Sequence, residues 1–112
     1  QMTSVNIKQE TMMAGLSCGE PSLLGWEILK SGADDFITIN DSSIPGLMRL
    51  LAENNLKIEA GESSVAGLAG LIESMEDQNI AKAMGLNKES IVLLFGTEGA
   101  TDPDIYRSII SE

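Results

Sequence analysis

Histidine is absent from the 112 residues, and cysteine occurs once, at Cys18. An all-protein zinc site and an internal disulfide framework are therefore both excluded. With no histidine or other basic partner to activate it, Cys18 is read as small loop filler rather than a nucleophile. So little cysteine suits a reducing, cytoplasmic setting. Aromatic residues make up only 4%, which favours small side chains packing helices on a sheet over a sandwich filled with large rings. Cations are scarce too. Lys and Arg number 7 against 17 Asp and Glu, a formal net charge of -10, so nucleic acid and anionic membrane surfaces are repelled and neither is expected as a partner. The same imbalance disfavours a phosphate-bearing ligand unless backbone amides or cations come from elsewhere. No apolar run approaches the ~20 residues of a membrane span, and no basic-then-apolar leader opens the chain, so a soluble protein is expected.

What is present is 43% hydrophobic residues spread along the whole chain, with 11 glycines. That distribution argues against disorder and for one core. Ser22 can cap a helix over Leu23 to Lys30 that is apolar on most sides and stops at Gly32. Asp35 to Ile39 reads as a short strand, followed by the caps Asn40, Asp41 and Ser42 and a helix to about Glu53 with Ile44, Leu47, Met48 and Leu51 inside. Lys57 to Ala60 reads as a second strand. Gly61 turns it into a helix from about Ser63 to Met75, with Val65, Leu68, Ala69, Ile72 and Met75 on its inner face. A short helical piece near Ile80 to Met84 precedes a continuous apolar run, Ile91 to Phe95, of the kind found in a covered parallel strand. Pro103 then opens a last helix with Ile105, Tyr106, Ile109 and Ile110 inside. The alternation predicts an α/β fold, a parallel sheet of about three strands flanked by helices, with residues 1–112 forming a single segment.

So small a sheet leaves two exposed edges and cannot cover this much apolar helix surface. The chain also begins Gln1-Met2 rather than with an initiator methionine. Both features lead us to expect part of a larger protein.

Three stretches could carry chemistry: AGLSCGEPS (Ala14 to Ser22), GESSVAGLAG (Gly61 to Gly70) and GTEGATDP (Gly96 to Pro103). In open parallel sheets ligands lie beyond the carboxyl ends of strands, where two of these stretches fall. Purely structural roles account for each residue as well. Ser63 serves as a helix cap, Gly67 and Gly70 as close-packing positions, and Gly96 and Gly99 as turn residues. Glu73, Glu76 and Asp77 read as a solvated acidic helix end, and no metal site is expected.

Taken together, in order and at this spacing, the three stretches resemble the diaminopropionate ammonia-lyases. These are fold type II pyridoxal phosphate enzymes, related to the tryptophan synthase β subunit, threonine synthase and threonine dehydratase. The run from Thr11 to Leu29, with its CGEPS wording ahead of a tryptophan helix, is similar to the ammonia-lyases rather than to their sister families. The resemblance covers nearly all of the chain and implies the C-terminal part of a tryptophan synthase β-like catalytic domain.

By resemblance, Ala14 and Gly15 would lie against one face of the pyridine ring and Ser17 near the substrate. Glu62 would approach the ring's polar edge. Thr97, or a neighbour, would offer a hydroxyl to the ring nitrogen, because Gly96 stands where the family often has serine. A neutral hydroxyl holds a ring proton less firmly than a carboxylate does, and the milder electron sink favours rapid loss of a β leaving group. The implied reaction is α,β-elimination of 2,3-diaminopropionate to pyruvate and ammonia. The implied parent is a homodimer that acts on a small amino acid. No catalytic residue falls in this segment, since the Schiff-base lysine and the phosphate loop lie N-terminal to it in the family. Lys8, Lys30, Lys57, Lys82 and Lys88 read as surface charges, so the 112-residue chain by itself is expected to be inactive. The alternatives are another fold type II enzyme, of the threonine dehydratase or threonine synthase kind, and a non-catalytic α/β interaction module.

Overall fold

The computed structural model describes residues 2–53 and 55–112; Gln1 lies outside them. Among the described residues the regular structure is entirely helical: α1 (Leu23–Gly32), α2 (Ile44–Ala52), α3 (Ala66–Glu76), α4 (Gln78–Ala83) and α5 (Pro103–Ser111), with 3-10 turns at Ala14–Leu16, Asp41–Ser43 and Glu62–Val65. Local chemistry sets several of the ends. The Ser22 hydroxyl accepts from Gly25 N at 3.1 Å and starts α1. Asp77 caps α4 by accepting from Asn79 N and Ile80 N, so this acid, read as part of a solvated face, has a structural task. Asp102 accepts from Asp104 N and Ile105 N at 3.1 and 3.0 Å, with Pro103 supplying the preset φ of a first helical residue. Gly85, at φ +70°, closes α4 in the left-handed conformation that favours glycine.

The parallel sheet is not formed, and the α/β expectation is corrected to a helical architecture: no strand occurs among the described residues. A strand exists only where a second backbone takes its N–H and C=O groups. Residues 35–39 and 91–95 have no backbone–backbone hydrogen bonds of that kind. Their side chains reach α3 instead. Ile37 Cδ1 lies 2.7 Å from the place a Cβ on Gly70 would take, and Leu94 Cδ2 lies 3.5 Å from that on Gly67. In the Lys57–Ala60 run, Lys57 has φ 47°, outside any strand conformation, and Ile58 N donates back to Leu51 O at 2.8 Å, closing the end of α2. A cleft of about 270 Å³, lined by Leu51, Ile58, Ala60, Leu68 and Leu94 among others, separates the second and third runs. Apolar patterning drew the first and third runs onto α3 and the second onto the end of α2 but did not lay their backbones side by side.

The core is small and lies between α2 and the start of α3. Ile44, Leu47, Met48, Val65, Ala69, Ala60 and Met13 are buried, with Leu51, Leu68, Tyr106, Ile109 and Ile110 packed against them. Arg49 Nη1 donates to Ile109 O at 2.8 Å and ties α5 to α2. The inner face of α3 is rotated from the expected one. Gly70 and Ser74 are buried, whereas Ile72 and Met75 are exposed; Ile105 of α5 is exposed as well. Ser74 Oγ, on a side chain that is almost fully buried, donates to Gly70 O at 2.7 Å and is thereby satisfied.

The radius of gyration is 15.5 Å, against about 13 Å for a compact chain of this length. The solvent-accessible surface is 8568 Å², about 2,600 Å² more than a compact monomer of this mass shows. Large apolar side chains contribute to it. Helix α1 has no buried residue, Ile91 is 100% exposed, and Leu93 and Phe95 are 75% and 76% exposed. No described helix is long and apolar enough to cross a membrane.

Candidate functional site

The three motif stretches meet at the 3-10 turn Glu62–Val65. From the N-terminal side, Met13 is buried in the core and Ala14–Leu16 form a turn closed by Leu16 N and Ser17 N, which donate to Met13 O and Ala14 O. Gly15 then faces Ser63: a Cβ on Gly15 would stand 3.0 Å from Ser63 Oγ. Asp41 steadies this stretch. Its carboxylate accepts from Thr11 Oγ1 at 2.5 Å and Met12 N at 2.7 Å, and Thr11 Oγ1 in turn accepts from Met13 N at 3.1 Å. The Thr11 hydroxyl first, and the Met12 N–H second, hold the Asp41 carboxyl below the ordinary carboxylate range.

On the other side the Gly61–Ser64 and Gly96–Gly99 turns are joined through one residue. Gly61 N donates to Glu98 O at 2.9 Å, and Ser63 N donates to Glu98 Oε2 at 2.9 Å. The Ser64 hydroxyl donates to Glu98 O at 2.5 Å and accepts from Glu98 N at 2.6 Å. Thr101 Oγ1 donates to Glu98 Oε1 at 3.2 Å. Glu59 adds a further tie by accepting from Ala100 N at 3.1 Å. Only glycine fits at 61, because a Cβ there would be 2.3 Å from Gly99 O and 2.8 Å from Glu98 Cγ.

Ser63, expected as a helix cap, caps nothing: the turn has no side-chain cap hydrogen bond. Its Oγ is enclosed and has no hydrogen-bond partner among the described residues. An enclosed hydroxyl without a partner is costly and rare in stable structure. Of the residues singled out from sequence, Gly15 and Glu62 adjoin this atom or its turn, and Thr97 precedes Glu98 in the facing turn. Glu62 and Ser17 are half-buried, and Thr97 and Gly15 are exposed. Gly19 is used internally instead. Val5 N donates to Gly19 O at 2.7 Å, and a Cβ at 19 would be 2.4 Å from Val5 O, so the chain's own backbone fills the space beside this glycine. Sequence reasoning gave Glu98 and Asp41 no part in the site. Glu98 bonds residues 34 and 35 positions away, and no local pattern signals such a pairing. Asp41 was read only as a cap. No group of acidic and cysteine side chains suited to a metal occurs among the described residues.

No family model matches the chain. It is 41% identical over 109 residues to the diaminopropionate ammonia-lyase of Escherichia coli strain K12, an alignment that takes in 91% of this chain and 27% of that protein. The diaminopropionate ammonia-lyase of Salmonella typhimurium strain LT2 is 36% identical over 107 residues, 89% of this chain and 26% of that one. Among solved structures, the E. coli diaminopropionate ammonia-lyase in complex with an aminoacrylate-PLP azomethine reaction intermediate superposes with a TM-score of 0.79 at 40% identity, covering 89% of this chain and 28% of that chain. The selenomethionine-labelled holo form of the E. coli enzyme gives 0.78 at 38% identity. The chain thus spans about 27% of the length of the curated relatives it matches.

Proposed function

From a chain homologous to diaminopropionate ammonia-lyases over about a quarter of their length, we propose that this segment is the C-terminal, ring-facing part of a pyridoxal phosphate-dependent lyase that eliminates ammonia from 2,3-diaminopropionate. The observation that carries the reading is the meeting of its three motif stretches at one junction. The donor set there suits the ring end of the cofactor. It offers a bare backbone at Gly15, the half-buried carboxylate of Glu62, the exposed hydroxyl of Thr97 and the partnerless hydroxyl of Ser63. It offers nothing to a phosphate or an aldehyde. Lys30 pairs with Glu27, and no lysine is hydrogen-bonded to a junction residue among those described. In this proposal the remaining length found in the relatives supplies the Schiff-base lysine and the phosphate loop.

When bound, the cofactor supplies the electron sink that lets the α proton and then the β amine leave. This chain's own residues do the orienting. Gly15 would lie along one ring face because no side chain intrudes, Ser17 would contact the amino acid, and Glu62 would hold the ring's polar edge. Thr97 would give the ring nitrogen a neutral partner, which holds a ring proton less firmly than a carboxylate does. The same proposal includes a cytoplasmic homodimer with a small amino acid as substrate.

The test is a substrate profile of the full-length protein. Pyruvate and ammonia released from 2,3-diaminopropionate at least about a hundredfold faster than 2-oxobutyrate from threonine or pyruvate from serine, a gap of about 2.7 kcal/mol, support the reading. A preference for threonine moves the protein to the sister families. Adding pyridoxal phosphate to the 112-residue chain is expected to give no imine absorbance, and a clear band there would overturn the division of labour.

A further inference from the structure

We propose that Glu98 is a positioning residue that locks the Gly61–Ser64 and Gly96–Gly99 turns into one unit, so that Glu62 and Thr97 meet a bound ring as a fixed pair. What the pair meets rests on the pyridoxal reading above; the coupling itself rests on geometry. Glu62 is bracketed by bonds to a single residue, since Gly61 N donates to the Glu98 carbonyl and Ser63 N to the Glu98 carboxylate, both at 2.9 Å. Thr97 is joined to that residue by the chain, and the Glu98 N–H is held by Ser64 Oγ at 2.6 Å. A shift in either turn is thereby passed to the other.

Both oxygens of the Glu98 carboxylate are engaged on the protein: Oε2 takes Ser63 N, and Oε1 takes Thr101 Oγ1 at 3.2 Å. Charge-assisted bonds of this kind are about twice as strong as neutral ones, which suits the carboxylate to clamping the turns. Gly61 makes the clamp possible, because any Cβ there would push Gly99 O and Glu98 Cγ away. The partnerless Ser63 Oγ sits on the turn that Glu98 fixes, so the same clamp also sets where that hydroxyl points.

The experiment compares Glu98→Ala, Glu98→Asp and Glu98→Gln in the full-length protein by amide hydrogen exchange, by the absorbance and affinity of added pyridoxal phosphate, and by kcat and KM. Glu98→Ala is expected to speed exchange in residues 61–65 and 96–101 together by at least about tenfold. It is expected to weaken cofactor affinity by about tenfold, to shift the bound absorbance, and to lower kcat more than it raises KM. Glu98→Gln keeps an acceptor for Ser63 N and a partner for the Thr101 hydroxyl, so it restores most of each property. Should Glu98→Ala fail to fold, Glu98→Asp carries the test: one methylene shorter, it keeps the charge but draws it back from Ser63 N, and intermediate values of all three readouts support the clamp. Faster exchange confined to residues 96–101, or a folded Ala or Asp variant with the parent's absorbance and kcat, overturns it. A parent protein with no cofactor absorbance, in which Glu98→Ala still loosens both turns, would sink the pyridoxal reading and leave the coupling standing.

Discussion

The junction around Glu98 and the apolar faces of α1 and residues 91–95 are opposite kinds of surface. At the junction Glu98 is bonded through its backbone and its carboxylate to the facing turn, and the backbones approach so closely that Gly61 admits no side chain. Along α1 and residues 91–95, large apolar side chains stand in water and the run 91–95 makes no backbone ladder. Exposing that much apolar surface is unfavourable at roughly 25 cal/mol per Å², and patches of this kind mark contact surfaces. The contrast separates what this chain specifies by itself, the relative placement of three motifs, from what it needs other protein to cover.

The sharpest way to break this comparison is to make one substitution in two contexts. Phe95→Ala is expected to cost about 3–5 kcal/mol in the full-length protein, as buried phenylalanines do, and under about 0.5 kcal/mol in the 112-residue chain, as exposed ones do. Urea unfolding of both forms measures this, and equal costs would erase the distinction between the two regions. Next in size is Gly61→Ala, expected to cost about 1–3 kcal/mol by overpacking in either context, since the atom it meets at 2.3 Å is the Gly99 carbonyl oxygen, part of the backbone. Equal stability of parent and variant would show that the two turns are not held together. Smaller, and of opposite sign, is Gly46→Ala in α2. Nothing lies within 4 Å of its added carbon, so the alanine should stabilise by about 0.5–1 kcal/mol through helix propensity and unfolded-state entropy.

The same contrast explains which features were legible in the sequence. Two helix starts were, because these are local events: Ser22 caps α1 through Gly25 three positions on, and Pro103 presets the first residue of α5. The expected caps Asn40, Asp41 and Ser42 form no side-chain cap bond, and Asp41 holds Thr11 and Met12 instead. The buried stripe of α2 was legible for the same reason, as helical period alone puts Ile44, Leu47 and Met48 on one face. The sheet was misread because β-branched runs report apolarity, while a strand needs a second backbone, and Lys57 at φ 47° interrupts the run that was to supply one. Ile72 and Met75 were placed inside on helical period, yet Gly70 and Ser74 took the inner face because Ile37 packs on Gly70. The meeting of the motifs was legible through resemblance. The residue that joins them was not, since Glu98 looks like any surface acid until the partners 34 and 35 positions upstream are in place.

The smallest expected effect belongs to Asp41 and is confined to acid. Its folded-state pKa is depressed below the ordinary carboxylate range by the Thr11 hydroxyl and the Met12 N–H, so it contributes stability that is fully present above the unfolded pKa and is lost as pH falls through the folded one. With 17 acidic residues the chain as a whole responds to acid through many groups, so only the difference between parent and Asp41→Asn isolates this one. That difference should stay constant from neutral pH down to about pH 5 and shrink below about pH 4, as the parent's carboxyl takes up its proton. Thermal midpoints of both proteins across that range measure it. A difference that widened in acid would mean that the carboxylate is not the form held by Thr11 and Met12, and the stretch leading into the Ala14–Leu16 turn would then lose its anchor on the Asp41–Ser43 turn, while the Glu98 clamp on the other side would be untouched.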